Sequence, residues 1–177
     1  NISPFFFIFS ISNNMSNKKW VVFTASIFIS LALGVLFICS ILKSAIETSV
    51  NLGGPDAFHW DLASINDPYS VAIIAFAFVM IISGKVFDKF GPKMTSLIGG
   101  VLIISGLLIA SSSVSYLSWI FGFGILVGGG IGFGYAVITP ATIKWYPPEK
   151  TGLIAGFVVG GFGLSSVFIA PLFSFLI

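Results

Sequence analysis

The chain has 177 residues, of which 56% are hydrophobic and only 8% charged, with a mean hydropathy of +1.08 and a formal net charge of +2. Soluble domains carry roughly a quarter of their residues charged, so this composition excludes a soluble globular domain and marks an integral membrane protein. The small positive balance excludes an electrostatic nucleic-acid binder, and the lone Cys39, set in an apolar run, excludes a disulfide framework.

At the start of the chain, Asn1 is no initiator, while Met15-Ser16-Asn17-Lys18-Lys19-Trp20 reads as an N-terminus leading into a first helix. Residues 1–14 are therefore expected to be upstream translation or a disordered leader. A signal peptide is the competing reading, but Pro4 to Ile11 is short and no basic residue precedes it. Residues 15–177 form one partial transmembrane domain. Apolar segments of about 20 residues, long enough to cross a bilayer as helices, are expected near 20–42, 69–87, 94–114, 117–143 and 152–176. Because Ile177 falls where the fifth of these reaches the far face, the chain reads as a fragment.

The turn between the second and third segments is Gly84-Lys85-Val86-Phe87-Asp88-Lys89-Phe90-Gly91-Pro92-Lys93. Gly91 tolerates positive φ and Pro92 stops the preceding helix from continuing. Asp88 falls at the C-terminal pole of that helix, where a carboxylate costs from a few tenths to about 1 kcal/mol. Lys85, Lys89 or the N-terminus of another helix would offset this, and Gly84 leaves room for that helix to approach. A merely solvated loop is the alternative.

No ionisable Asp, Glu, Lys, Arg or His occurs between Met94 and Ile143, so Ser111 to Tyr116 is expected to turn two buried helices into a tight hairpin. With the N-terminus inside, Lys18, Lys19, Lys85, Lys89, Lys93, Lys144 and Lys150 all fall in cytoplasmic segments and only Lys43 falls outside, as the retention of positive loops requires. The outer loop, about 44–68, carries Glu47, Asp56, Asp61 and Asp67 with His59, whose spacing matches no metal-ligand pattern. No metal or cofactor is implied.

Trp20, Trp60, Trp119, Trp145, Tyr69, Tyr116 and Tyr146 stand near helix ends, where amphipathic rings favour the headgroup zone. Tyr135 sits well inside the fourth helix, so its hydroxyl must either bond to a neighbouring helix or line a polar cavity. Gly124, Gly128 and Gly132 make a smooth stripe on helix four, and Gly152, Gly156 and Gly160 another on helix five; in lipid such stripes allow close van der Waals approach. Gly130-Ile131-Gly132-Phe133-Gly134 has the spelling of a phosphate-binding loop but follows no strand, so a nucleotide site is excluded. No span holds a titratable pair, which argues against an intramembrane enzyme.

The pattern Gly84-x-x-x-Asp88-Lys89-x-Gly91-x-Lys93 resembles the loop between helices two and three of the major facilitator superfamily. The stretch from Gly132 to Pro147, followed by Gly152-Leu153-Ile154-Ala155-Gly156 and Gly160-Gly161-Phe162-Gly163, is similar to its oxalate/formate antiporter branch, and together the two cover essentially everything after Met15. The resemblance implies an all-α membrane protein, the first five transmembrane helices of the N-terminal six-helix bundle of a twelve-helix carrier. It implies a secondary active transporter working by alternating access in the plasma membrane and exchanging small carboxylates such as oxalate, formate or monocarboxylates. The partners implied are the lipid bilayer, a small organic anion and the second half of the same carrier. In that arrangement helices one and four line the cavity, two and five flank the seam between halves, and three faces lipid. Cavity-wall candidates are Phe37, Ser40, Tyr135 and Thr139, and Gly84, Asp88, Lys89, Gly91 and Lys93 would form a conformational latch against the second half. The first helix departs from the branch: Gly34-Val35-Leu36-Phe37-Ile38-Cys39-Ser40 replaces Gly-x-x-Tyr-Ala-Trp-Ser, losing a hydroxyl and an indole, so oxalate itself is not carried over. A five-helix accessory or structural membrane protein is the alternative reading.

Overall fold

The computed structural model describes residues 4–34, 36, 39–53 and 57–176, with side chains over 18–34, 36, 42–53 and 57–167. The described chain is helical: α1 (Pro4–Leu33), α2 (Cys39–Leu52), α3 (Asp67–Ser111), α4 (Tyr116–Ile143) and α5 (Thr151–Leu176), with short 3-10 turns at Leu62–Ser64 and Pro148–Lys150. Within the described residues the apolar spans Leu62–Ser111, Tyr116–Ile143 and Pro148–Val167 are each long enough to cross a membrane.

α3 is two helices rather than one. At Gly91 the backbone turns to φ 77°, ψ 177°, outside helical space, and Pro92 follows at once. Only glycine adopts that φ freely, and proline cannot donate into a continuing helix, so the two residues fold α3 into arms 67–90 and 92–111. The hydroxyls of Thr95 and Ser96 donate back to the carbonyls of Gly91 and Pro92, both at 2.8 Å, occupying acceptors at the start of the second arm.

Contacts along α4 fix the directions. Gly124, Gly128 and Gly132 meet Val71, Ala72 and Phe76 in ascending order, so the first arm of α3 runs parallel to α4. Gly122 meets Gly106 and Gly130 meets Gly99 in descending order, so the second arm is antiparallel to it. Thr142 pairs with Ser26 and Gly134 with Leu33, making α1 antiparallel to α4. α5 runs beside α1, with Phe157 against Phe23 and Ser165 against Gly34. Successive membrane passes therefore alternate, with α4 as the hub.

That hub works because its glycines let backbones approach. A Cβ on Gly128 would stand 2.5 Å from the Ala72 carbonyl oxygen, and one on Gly130 would stand 2.7 Å from that of Gly99. Between lipid-embedded helices such proximity is the main source of attraction. A π-helical segment, Ile120–Val127, lies inside α4. Its wider winding shifts the facing of the residues it contains, and there Gly122 meets the second arm of α3 while Gly124 meets the first.

The segment expected as one helix over 20–42 is divided, with α1 ending at Leu33 and α2 beginning at Cys39. Gly34 lies so close to α5 that any side chain there would overlap the Ser165 hydroxyl, and the α-helical winding stops at that residue. α2 then packs over an aromatic knot at the end of the bundle, where Ile46, Trp60 and Ile65 form a second small core. Trp60, expected in the headgroup zone, is only 8% exposed, stacked edge-on against Phe58, Tyr116 and Trp119. Its indole N–H donates to the Val114 carbonyl at 2.8 Å, and Trp119 donates to that of Ser113 at 3.2 Å, so two indoles grip the turn between α3 and α4. Tyr116 adds a 2.7 Å hydrogen bond to Asp67.

Candidate functional site

α4 is sealed on three sectors: glycines against the first arm of α3, glycines against the second arm, and Gly134 with Thr142 against α1. Tyr135 and Thr139, four residues apart and hence on one face, lie at the border between the α1-facing and first-arm-facing sides. Both are half-buried. The Tyr135 ring lies edge-on between Phe76 of α3 and Phe162 of α5, at centroid distances of 5.7 and 5.2 Å and interplanar angles of 69° and 65°. Among the described residues its hydroxyl has no hydrogen-bond partner. The interhelical bond that sequence left open for this hydroxyl is thus not made to a described residue.

Of the other cavity candidates, Phe37 lies outside the described residues, and Ser40 is in the first turn of α2 but its side chain lies outside them. Nearby polarity comes from groups that sequence reading passed over. Ser26 and Thr142 meet at 2.5 Å in a buried contact between α1 and α4, and each also lies within hydrogen-bonding distance of its own helix's carbonyl, Val22 at 2.8 Å and Ile138 at 2.7 Å. Two hydroxyls hold only two protons, so one proton links the helices and the other goes to a carbonyl. Ser30, one turn along α1, is 1% exposed with an unpaired hydroxyl among the described residues. Their signal was Ser26, Ser30 and Gly34 at four-residue steps, a small-residue face like those recognised in α4 and α5.

A groove of about 330 Å³ opens on the far side of α4, between α1 and the second arm of α3, lined by Ser26, Lys93, Ser96, Gly99, Gly130 and Gly134 among others. Its walls are apolar apart from a few groups at one end, and Tyr135 does not reach it.

The turn residues cluster at the opposite end from the aromatic knot. Lys144 lies over the Phe87 ring at 4.9 Å, Lys89 over Phe90 at 5.2 Å, and the Tyr146 hydroxyl donates to the Lys19 carbonyl at 3.3 Å. Lys18, Lys19, the 84–93 turn and the 144–150 turn therefore share one end of the bundle. Asp88 is exposed, and among the described residues no cation lies within ion-pair distance of it; the lysine beside it turns to a ring instead. Gly84 has open space where a Cβ would stand, and so has Gly91.

The glycine stripes divide sharply. Gly124, Gly128 and Gly132 are buried against α3, whereas Gly152, Gly156 and Gly160 have nothing within 4 Å, and it is Gly161 that faces Ser30 and Ile27 of α1. Within the described residues, then, the α5 stripe packs no helix. Gly99, Gly106, Gly122 and Gly130, which the four-residue pattern did not single out, make a second tight seam.

The family model of the Major Facilitator Superfamily matches residues 20–177. Among curated relatives, the MFS-type transporter YhjX of Escherichia coli (strain K12) is 26% identical over 88% of this chain and 36% of its own length. The oxalate:formate antiporter of Oxalobacter formigenes is 29% identical over 81% of this chain and 34% of its own. Monocarboxylate transporter 13 of Bos taurus is 31% identical over 68% of this chain and 28% of its own. The chain thus spans about a third of the length of the relatives it matches. With the alternating helices, the glycine-built hub and the basic turn at Gly91, this match places the protein: the chain belongs to the major facilitator superfamily.

Proposed function

We propose that this chain contributes the first helices of a secondary transporter that exchanges small carboxylates by alternating access. The observation that carries the reading is Tyr135 of α4, an aromatic hydroxyl held half-buried between rings of α3 and α5 with no hydrogen-bond partner among the described residues. Similarity to proteins named for oxalate, formate and monocarboxylate transport supports the substrate class.

A carboxylate in a low-dielectric cavity requires a cation or several hydrogen-bond donors, since an unpaired buried charge is costly. The lysines of the apolar spans, Lys85, Lys89, Lys93 and Lys150, stand at their turn ends and no Arg or His occurs in them, so this part offers donors and ring edges at membrane depth and the counter-charge would come from the second half of the carrier. The absence of Asp, Glu and His from 20–42, 69–87, 94–143 and 152–176 favours exchange or facilitated uniport over a proton relay through these helices. Lys18, Lys19, Lys89, Lys93, Lys144 and Lys150 would face the cytoplasm, and the exposed Asp88 turn, with Gly84 beside it, would latch against the second half.

Counterflow tests the reading. Proteoliposomes of the full-length transporter, loaded with unlabelled anion, should accumulate labelled oxalate, formate or a short monocarboxylate transiently. Accumulation of none of these would refute the carboxylate assignment and favour a structural or accessory role.

A further inference from the structure

Resting on the assignment of Tyr135 to the carboxylate path, we infer that Phe76 and Phe162 are positioning residues that set the transporter's apparent affinity by fixing the Tyr135 ring. Three facts on the three helices converge. Phe76, from the first arm of α3, and Phe162, from α5, both meet Tyr135 edge-to-face, the arrangement that ring quadrupoles favour. The ring is therefore held from two sides by two different helices. The backbone beneath is equally fixed, because Gly132 lies against the Phe76 carbonyl, where a Cβ would stand 2.8 Å away, and Gly134 lies against Leu33.

The consequence concerns the hydroxyl. A phenol that donates to a carboxylate oxygen loses rotational freedom on binding unless its ring is already immobile, and a pre-set donor lowers that cost. Clamping by two phenyl rings fixes the position of the hydroxyl oxygen while consuming none of its hydrogen-bonding capacity. An alternative clamp by a polar neighbour would have occupied the donor. Because the holding rings come from different helices, any rocking of α5 against α3 would also re-aim the hydroxyl, which couples donor geometry to the state of the bundle.

The test is a double-mutant cycle on counterflow by the full-length transporter, using Tyr135→Phe, Phe162→Leu and the pair, with Phe162→Tyr and Phe76→Leu alongside. Phe162→Leu and Phe76→Leu should each raise KM about three- to tenfold with kcat nearly unchanged, and Phe162→Tyr, which keeps a ring, should stay near wild type. In the Tyr135→Phe background, Phe162→Leu should add less than about twofold, because the group it positions is gone. Equal effects of Phe162→Leu in both backgrounds would overturn the positioning role while leaving the carboxylate path standing. An unchanged KM in Tyr135→Phe would remove Tyr135 from that path and the inference with it. Loss of folded protein in Phe162→Leu is separated by the Phe162→Tyr arm and by ring-deuterated tyrosine NMR in lipid, where the Tyr135 ring should flip slowly in wild type and faster in Phe76→Leu; equal flip rates would overturn the clamp.

Discussion

Glycine 128 and glycine 152 look alike in sequence, each one member of a four-residue stripe in an apolar helix, yet their surroundings are opposite. A Cβ on Gly128 would press on the Ala72 backbone, whereas one on Gly152 would meet nothing within 4 Å. Gly128→Ala should therefore lower the unfolding free energy in bilayer or mild detergent by about 1–3 kcal/mol, as overpacking against an unyielding backbone does. Gly152→Ala should stay within about 0.5 kcal/mol of wild type. Chemical or thermal unfolding of the two variants side by side checks both. Gly91 is held by conformation rather than by packing, because its φ is 77° and there is free space around it. Gly91→Ala should cost about 1–2 kcal/mol through backbone strain alone, read from the same unfolding measurement.

The helices themselves were legible in the sequence, since runs such as Met94 to Ile143 carry no ionisable residue and Gly91-Pro92 names its own turn. Two features were not. Hydropathy cannot distinguish a straight first helix from one interrupted at Gly34, because the apolar run continues through the break and the close contact of Gly34 with Ser165 of α5 lies far apart in sequence. Equally, a stripe of small residues announces that some helix may approach without saying which, so the α4 stripe and the unpartnered α5 stripe read identically until the neighbours are placed. The Ser26–Thr142 contact belongs to the same scale, being a bond between elements 116 positions apart. A double-mutant cycle with Ser26→Ala and Thr142→Ala should give a coupling of about 0.6 kcal/mol and no more than about 1.7 kcal/mol, the range found for interhelical hydrogen bonds in membranes. At the other end, Trp60→Phe should keep the ring stack but lose the bond to Val114. Amide exchange over residues 57–66 should then quicken while the α3–α4 glycine seam stays protected; uniform quickening would mean that the indole supports the whole bundle instead.

For the molecule as a whole, the lysines were the most informative sequence feature and Tyr135 the most ambiguous. Charge counting placed Lys18, Lys19, Lys85, Lys89, Lys93, Lys144 and Lys150 together, and the folded chain brings Lys19, Phe87 and Lys144 to one end through Tyr146 and the ring contact of Lys144. The intramembrane position of Tyr135 was equally readable, but whether its hydroxyl met a helix or a cavity depended on rings supplied by two other helices. Substrate identity is less legible still, because every lysine of this chain stands at the end of an apolar segment and none at its middle. The account rests on one end of the bundle facing the cytoplasm and the aromatic knot facing out. Labelling with a membrane-impermeant maleimide, applied to intact cells with single-cysteine variants Lys89→Cys, Lys150→Cys and Ser64→Cys in a Cys39→Ser background, measures this directly. The account predicts that Ser64→Cys reacts at once and that Lys89→Cys and Lys150→Cys react only after permeabilisation; reaction of Lys89→Cys and Lys150→Cys from opposite sides would contradict it.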